Sequence, residues 1–172
     1  LETTMEAVDR ALGELVLGAR IIIEDTDGEP LVFTTELHTA ETEVAERLHQ
    51  LMAREVSLPE VQPEQAIAWF ERHHQLQLSE EQAETVIQAT RHRFSVITGG
   101  PGVGKTTILN AILEILVTKK VEPVLCAPTG RAAKRLHEST GREALTIHRA
   151  LEYQPEIGFT RNEDKPLVGD FF

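Results

Sequence analysis

The run Gly99-Gly-Pro-Gly-Val-Gly-Lys-Thr106 constrains this chain more than any other eight residues in it. It fits the pattern G-x-x-x-x-G-K-[S/T]. It lies between a short apolar run, Phe94-Ser-Val-Ile-Thr98, and a helical stripe over Lys105–Thr118, with Ile108, Ala111, Ile112 and Ile115 on one face. A strand that runs into glycines and out into a helix is the setting in which such a loop holds phosphate. Glycines let backbone N–H groups turn inward around phosphate oxygens with no Cβ in the way. The helix start adds the positive end of its dipole. The Lys105 ammonium is then expected to reach β- and γ-phosphates, and the Thr106 hydroxyl to hold Mg2+. The plainer alternative is a glycine-rich turn before a helix with no ligand, and the full match in its strand–loop–helix setting weighs against it.

The pattern around the loop extends the argument. Ser79–Arg93 reads as a helix, Phe94–Thr98 as a buried strand, Val121–Ala127 as a second strand and Gly130–Ser139 as a helix after it. Strands separated by ten or more residues that include a helix imply a parallel sheet. Before residue 77 the pattern differs. Met5–Leu17 carries a helical stripe, and Arg20-Ile-Ile-Ile23 and Leu31-Val-Phe-Thr34 flank a turn over Glu24–Pro30, so a β-hairpin is expected. Glu36–Arg54 returns to helical spacing, Ser57–Pro63 reads as a linker, and a helix is expected around Glu64–His73. Helix, hairpin, helix suits the end of a winged-helix unit and equally a generic small α+β module.

Charge follows the same division. The chain of 172 residues has a formal net charge of −11, which argues at first against a nucleic-acid partner. Sixteen acidic and five basic residues in 1–76 account for all of it, and 77–172 holds twelve of each. The second segment is therefore free to carry a local basic surface, and the acidic one reads as a solvated face. No apolar run reaches the roughly 18 residues that span a bilayer, and no basic-then-apolar leader appears. With a single cysteine, Cys126, which is expected to be core packing, a cytoplasmic place is expected. Adjacent helical residues diverge by about 100°, so His73 and His74 do not make a metal pair.

Three segments beside the loop narrow its use. Ser79 and Gln82 fit a capping box at a helix start. The other reading of Gln82 is an amide presented to adenine, accepting from N6 and donating to N7. Ala127-Pro-Thr-Gly-Arg-Ala-Ala-Lys-Arg-Leu136 puts Arg131, Lys134 and Arg135 at i, i+3, i+4 spacing on one helix face. Thr129 and Gly130 open that helix, where hydroxyl and free N–H groups suit a phosphodiester; a solvated basic face is the alternative. Leu145-Thr-Ile-His-Arg-Ala-Leu151 places His148 after a short apolar run, and a lone His is more often an ordinary polar residue than a site.

Taken together, Leu78-Ser-Glu-Glu-Gln82, Thr98–Thr107, Ala127–Leu136 and Thr146-Ile-His-Arg149 resemble successive motifs of the RecD-like superfamily-one DNA helicases, the family of the exodeoxyribonuclease V alpha subunit. Gly158–Leu167 resembles the same family's approach to its next motif, and Ala40–Leu48 the helix that leads from its N-terminal domain to its motor. The resemblance implies a P-loop NTPase of RecA-like α/β fold in 77–172, preceded by a small α+β module with a hairpin and a linker in 1–76. It implies a motor that uses ATP and Mg2+ to move 5′→3′ on single-stranded DNA and part the duplex in recombination and repair. Gln82 would then read adenine. Gly100, Pro101, Gly102, Val103, Gly104, Lys105, Thr106 and Thr107 would hold the triphosphate and metal, with Lys105 as the catalytic cation. Pro128, Thr129, Gly130, Arg131, Lys134 and His148 would touch the DNA. Other subunits of exodeoxyribonuclease V are implied as partners, and a membrane is not.

One departure stands out. A motor of this kind needs an Asp-Glu pair at the end of a following strand, to hold Mg2+ and activate water, and no apolar run followed by Asp-Glu comes after Lys105. The chain also opens on Leu1. It is expected to be part of a longer helicase, cut just before that carboxylate motif, that binds nucleotide and DNA without hydrolysing ATP and either self-associates through its incomplete sheet or leaves residues after about Leu151 disordered. The competing expectation is a binding module that never hydrolyses nucleotide. A small-molecule kinase is a distant third, since it has no need of the Thr129–Arg135 segment.

Overall fold

The computed structural model describes residues 4–54, 58–59 and 61–172. They form two compact units, 1–54 and 55–172. In the first, α1 (Met5–Leu17) starts where the Thr4 hydroxyl accepts from the Ala7 N–H at 3.3 Å. Strands β1 (Ile21–Thr26) and β2 (Glu29–Thr34) pair antiparallel, with Ile21 opposite Thr34 and Thr26 opposite Glu29. The expected seven-residue turn shrinks to Asp27-Gly28. Both residues take positive φ, 55° and 85°, the conformation that a two-residue hairpin turn demands and that Asp-Gly supplies. The Asp25 carboxylate accepts from the Gly28 N–H at 2.8 Å, so the turn satisfies its own backbone. Helix α2 (Thr35–Met52) follows, held to the hairpin by His38 Nε2 and Glu24 Oε1 at 2.7 Å. None of this unit's described side chains is buried. Residues 55–57 and 60 lie outside the described residues, and 57 and 60 fall in the expected linker.

The second unit has the core. Helices α3 (Pro63–His74), α4 (Glu80–Arg91) and α5 (Lys105–Thr118) bring Phe70, Val86, Ile112, Ile115 and Leu116 together at 2% exposure or less. Full burial of such side chains contributes roughly 1.5–3 kcal/mol each, which makes this three-helix contact the main stabilising element of the unit. The expected domain line after residue 76 falls inside it. Ile67 and Phe70 on α3 pack into the same cluster as α4 and α5, so α3 sides with the loop and not with the hairpin. A 2.7 Å contact between His74 Nε2 and Glu114 Oε2 ties α3 to α5.

Beyond α5, β3 (Leu125–Ala127) and β4 (Ala144–Thr146) pair in parallel across α6 (Gly130–Thr140), with Ala127 opposite Thr146. A one-turn helix α7 (Ile147–Ala150) leads into a small antiparallel hairpin, β5 (Tyr153–Gln154) and β6 (Gly158–Phe159). The expected strands are shorter than their apolar runs. Of Val121–Ala127 the last three residues form a ladder, while Pro123 makes one parallel bridge to Phe171. Residues 94–98, expected as a strand, have no ladder partner among the described residues. Ile97 packs on the core, but Val96 is 69% exposed. An apolar run becomes a strand only when a neighbour takes its N–H and C=O groups, and here none does.

Candidate nucleotide and strand site

The loop from Gly99 to Gly104 joins residues 94–98 to the start of α5. Gly102 and Gly104 hold φ of 80° and 84°, which a residue with a Cβ resists. A Cβ on Gly104 would also collide with Gln82 Nε2, whereas one on Gly100 or Gly102 would meet nothing within 4 Å. The backbone is therefore tight against α4 on one side and open on the other. Helix α5 begins at Gly104 with no capping side chain, unlike α4, α6 and α7, which Ser79, Thr129 and Thr146 cap. Its first-turn N–H groups thus have no side-chain cap, and the dipole's positive end lies at the loop. Lys105 Nζ donates to the carbonyls of Gly99, at 2.6 Å, and Gly100. This places the cation over the same loop, where glycine backbone, helix start and ammonium suit a polyphosphate.

Gln82 lies against this loop. Its Oε1 accepts from the Ser79 N–H at 3.0 Å, and the Ser79 hydroxyl accepts from the Gln82 N–H at 3.2 Å, completing a capping box. Its Nε2 donates to the Val103 carbonyl at 3.1 Å. One side chain thus joins the start of α4 to the phosphate loop.

The parallel pairing of β3 and β4 brings the other candidates together. Because Ala127 and Thr146 are opposite each other, Pro128-Thr129 and Ile147-His148 leave the same end of adjacent strands. That carboxyl end is where open α/β sheets place their ligands. The Thr129 hydroxyl accepts from the Ala132 N–H at 3.2 Å, a cap that uses one lone pair and leaves its O–H to donate. Arg131 and Arg135 line a cavity of about 430 Å³ with Thr106, Thr129 and Ser139, so the basic face of α6 and the metal-binding candidate of the loop share one groove. Lys134 does not line it and lies 3.8 Å from Glu138, an exposed pair of small energetic weight. His148 is exposed, its ring 5.4 Å from that of Tyr153 and 5.6 Å from that of Phe159.

Sequence reasoning missed Arg135 as a groove residue and missed the hairpin altogether. The signal for the hairpin was faint: two aromatics around Pro155-Glu-Ile-Gly158, in strands of two residues each. It also missed Glu152, whose carboxylate accepts from Lys165 at 2.6 Å, Thr160 at 3.0 Å and Arg161 at 2.7 Å. These donors, Lys165 first, lower its carboxyl to about 2 from an ordinary 4.5. Burial pushes the Cys126 thiol up, which suits a packing role on β3. No group of three or more metal-ligating side chains occurs among the described residues, and no described helix is long and apolar enough to cross a membrane.

A phosphate loop at a helix start beside a short parallel sheet defines a P-loop NTPase. Residues 82–172 match the family described as AAA domain, more than half of the chain, and the protein belongs to that family. Within it, the chain is similar to RecD proteins and to a phage helicase. It is 50% identical over 93 residues to the ATP-dependent RecD2 DNA helicase of Deinococcus radiodurans, covering 54% of this chain and 13% of that protein. It is 36% identical over 100 residues to the RecBCD enzyme subunit RecD of Mycolicibacterium smegmatis, 45% of this chain and 18% of that one. It is 40% identical over 70 residues to the ATP-dependent DNA helicase dda of Enterobacteria phage T4, 40% of this chain and 16% of that one. The chain thus spans less than a fifth of the length of each of these relatives.

Proposed function

We propose that this chain is the nucleotide- and strand-binding part of an ATP-driven DNA helicase of the RecD type. The observation that carries the reading is the shared groove. Thr106 of the phosphate loop and Thr129, Arg131 and Arg135 of the basic helix line one cavity, which supports a nucleotide's terminal phosphates lying beside a DNA-contacting element in this reading. In such an arrangement Gly100–Gly104 and the start of α5 cradle the triphosphate, and Lys105 balances charge on its β- and γ-phosphates. Thr106 offers a hydroxyl ligand to Mg2+, the ion that accompanies ATP and draws charge from the transferred phosphoryl group. The residues fit that group, because the open side of the loop has room where Cβ atoms would stand. Thr129, Gly130 and Arg131 hold the strand's phosphates, with Pro128 and His148 at the same sheet end, and Lys134 adds charge from outside the groove. Movement 5′→3′, duplex opening, a role in recombination and repair, and partnership with nuclease subunits belong to the longer helicase in this reading.

This polypeptide itself binds without turning over. What supports this is that no apolar run followed by an Asp-Glu pair, the carboxylates that would hold the metal and activate water, comes after Lys105 in the sequence. The test is phosphate release from Mg–ATP, with and without single-stranded DNA. Background rates in both conditions are expected, and robust DNA-stimulated turnover would contradict the reading.

A further inference from the structure

We infer that Asn110 is a positioning residue for strand binding: its hydrogen bond to the end of α6 holds Arg131 and Arg135 at the groove beside the phosphate loop. The inference rests on the strand-binding reading above and adds to it a residue that acts through α6.

Two helical stripes border the groove. On α6, Arg131, Arg135 and Ser139 are spaced i, i+4, i+8, and all three line it. On α5, Thr106 lines it, and Asn110 stands four residues on, about one turn farther along the same face. The Asn110 Nδ2 donates to the Ser139 carbonyl at 3.0 Å, so the two stripes are joined at that turn.

The bond meets a need of α6. The last four carbonyls of a helix lack partners within it. In α6 the His137 carbonyl accepts from the Gly141 N–H at 2.8 Å, where Gly141 closes the helix with a φ of 66°. The Ser139 carbonyl is taken by Asn110. Asparagine is a weak choice inside a helix, because its amide competes for nearby backbone groups. It stands here among Leu109, Ala111, Ile112 and Leu113, half-buried, with its amide turned to the backbone of a different helix.

A bond between two helices ordinarily does no more than steady the fold. The place of this one gives it a second effect. Helix α6 leaves the carboxyl end of β3 with Thr129 as its cap, and its other end is held by Asn110. Released at Ser139, the helix keeps its start and turns about it. Arg135, one turn before Ser139, moves with the freed end, and Arg131, nearer the start, moves less. A cation on a strand phosphate contributes by releasing counterions, so an arginine that moves away lowers both the affinity and its dependence on salt.

The test measures binding of the 172-residue chain to fluorescent oligothymidine across a salt series, and to the β,γ-imido analogue of ATP with Mg2+. The proteins are wild type, Asn110→Ala, Arg131→Ala/Arg135→Ala and the triple variant. Alanine is the best helix former, so the first substitution does not weaken α5. Asn110→Ala should bind oligothymidine about four- to fifteenfold more weakly at roughly 0.15 M salt, with a salt slope smaller by about 0.7–1.4, the values for one or two lost phosphate contacts. It should bind the ATP analogue as wild type does. In the triple variant the Asn110 substitution should add nothing to the loss caused by the two arginines. Unchanged strand binding by Asn110→Ala would overturn the inference, as would a loss that persists in full without the arginines. A parallel loss of analogue binding would mean a loosened fold and would overturn it too. If the arginine variant weakens the strand and Asn110→Ala does not, the role of Asn110 fails and the strand-binding reading stands. If wild type shows no salt-dependent strand binding, both fail together.

Discussion

The amide of Gln82 meets two demands at once, and they predict different consequences of its loss. Its oxygen closes a capping box on Ser79 and its nitrogen holds the Val103 carbonyl of the phosphate loop, so both ends of the group already have protein partners. The proposed adenine contact must then use the second N–H and the second lone pair, which an amide has. In the proposed helicase, Gln82→Ala should weaken ATP more than GTP or UTP if that contact forms. If capping is the whole role, stability falls by ~0.5–2 kcal/mol and base preference does not move. Titrating the three nucleotides, together with thermal unfolding, separates the two. The phosphate loop itself was legible because its chemistry is local: eight consecutive residues, each with a backbone or side-chain reason. The groove role of Arg135 was not, because it depends on how α6 is turned toward α5.

At the level of elements, helices could be read well and strands poorly. The stripes at Met5–Leu17 and Lys105–Thr118 gave their helices to the residue, since the apolar period is contained within each segment. Strands depend on partners elsewhere, so residues 94–98 and most of Val121–Ala127 kept their apolar character without becoming ladder. Glu152 ties the start of the β5–β6 hairpin to Thr160, Arg161 and Lys165 after it, and a pH dependence follows. The carboxyl titrates at about 2, below its ordinary 4.5. Its stabilising effect is therefore complete above 4.5 and disappears as pH falls toward about 2. Tyr153 is the chain's sole tyrosine, so its ring resonances report the hairpin directly. They should shift between pH 4.5 and 2 in wild type and should already be shifted at pH 7 in Glu152→Gln. A Gln variant with native Tyr153 signals at pH 7 would show that the ion pairs do not hold the hairpin.

For the whole molecule, the two units differ in what sustains them. Residues 55–172 have a buried three-helix cluster, whereas no described side chain of residues 1–54 is buried. Residues 55–172 nonetheless expose apolar surface: Phe94 is 40% exposed, Val96 69%, Val168 81% and Phe172 61%. The β3–β4 ladder is two strands wide. Open edges beside exposed apolar groups promote association. Light scattering should therefore show mass rising with concentration, and a strict monomer at high micromolar concentration would contradict this.

In the proposed function the loop at Gly99–Thr106 binds the phosphates of a nucleotide, with Lys105 as the essential cation. Calorimetric titration of Mg–ATP into the wild-type chain and into Lys105→Ala tests it most directly. Weak but measurable binding by wild type and a loss of roughly tenfold or more in the variant, at least ~1.4 kcal/mol, is the predicted result. Equal binding by the two proteins would contradict the account.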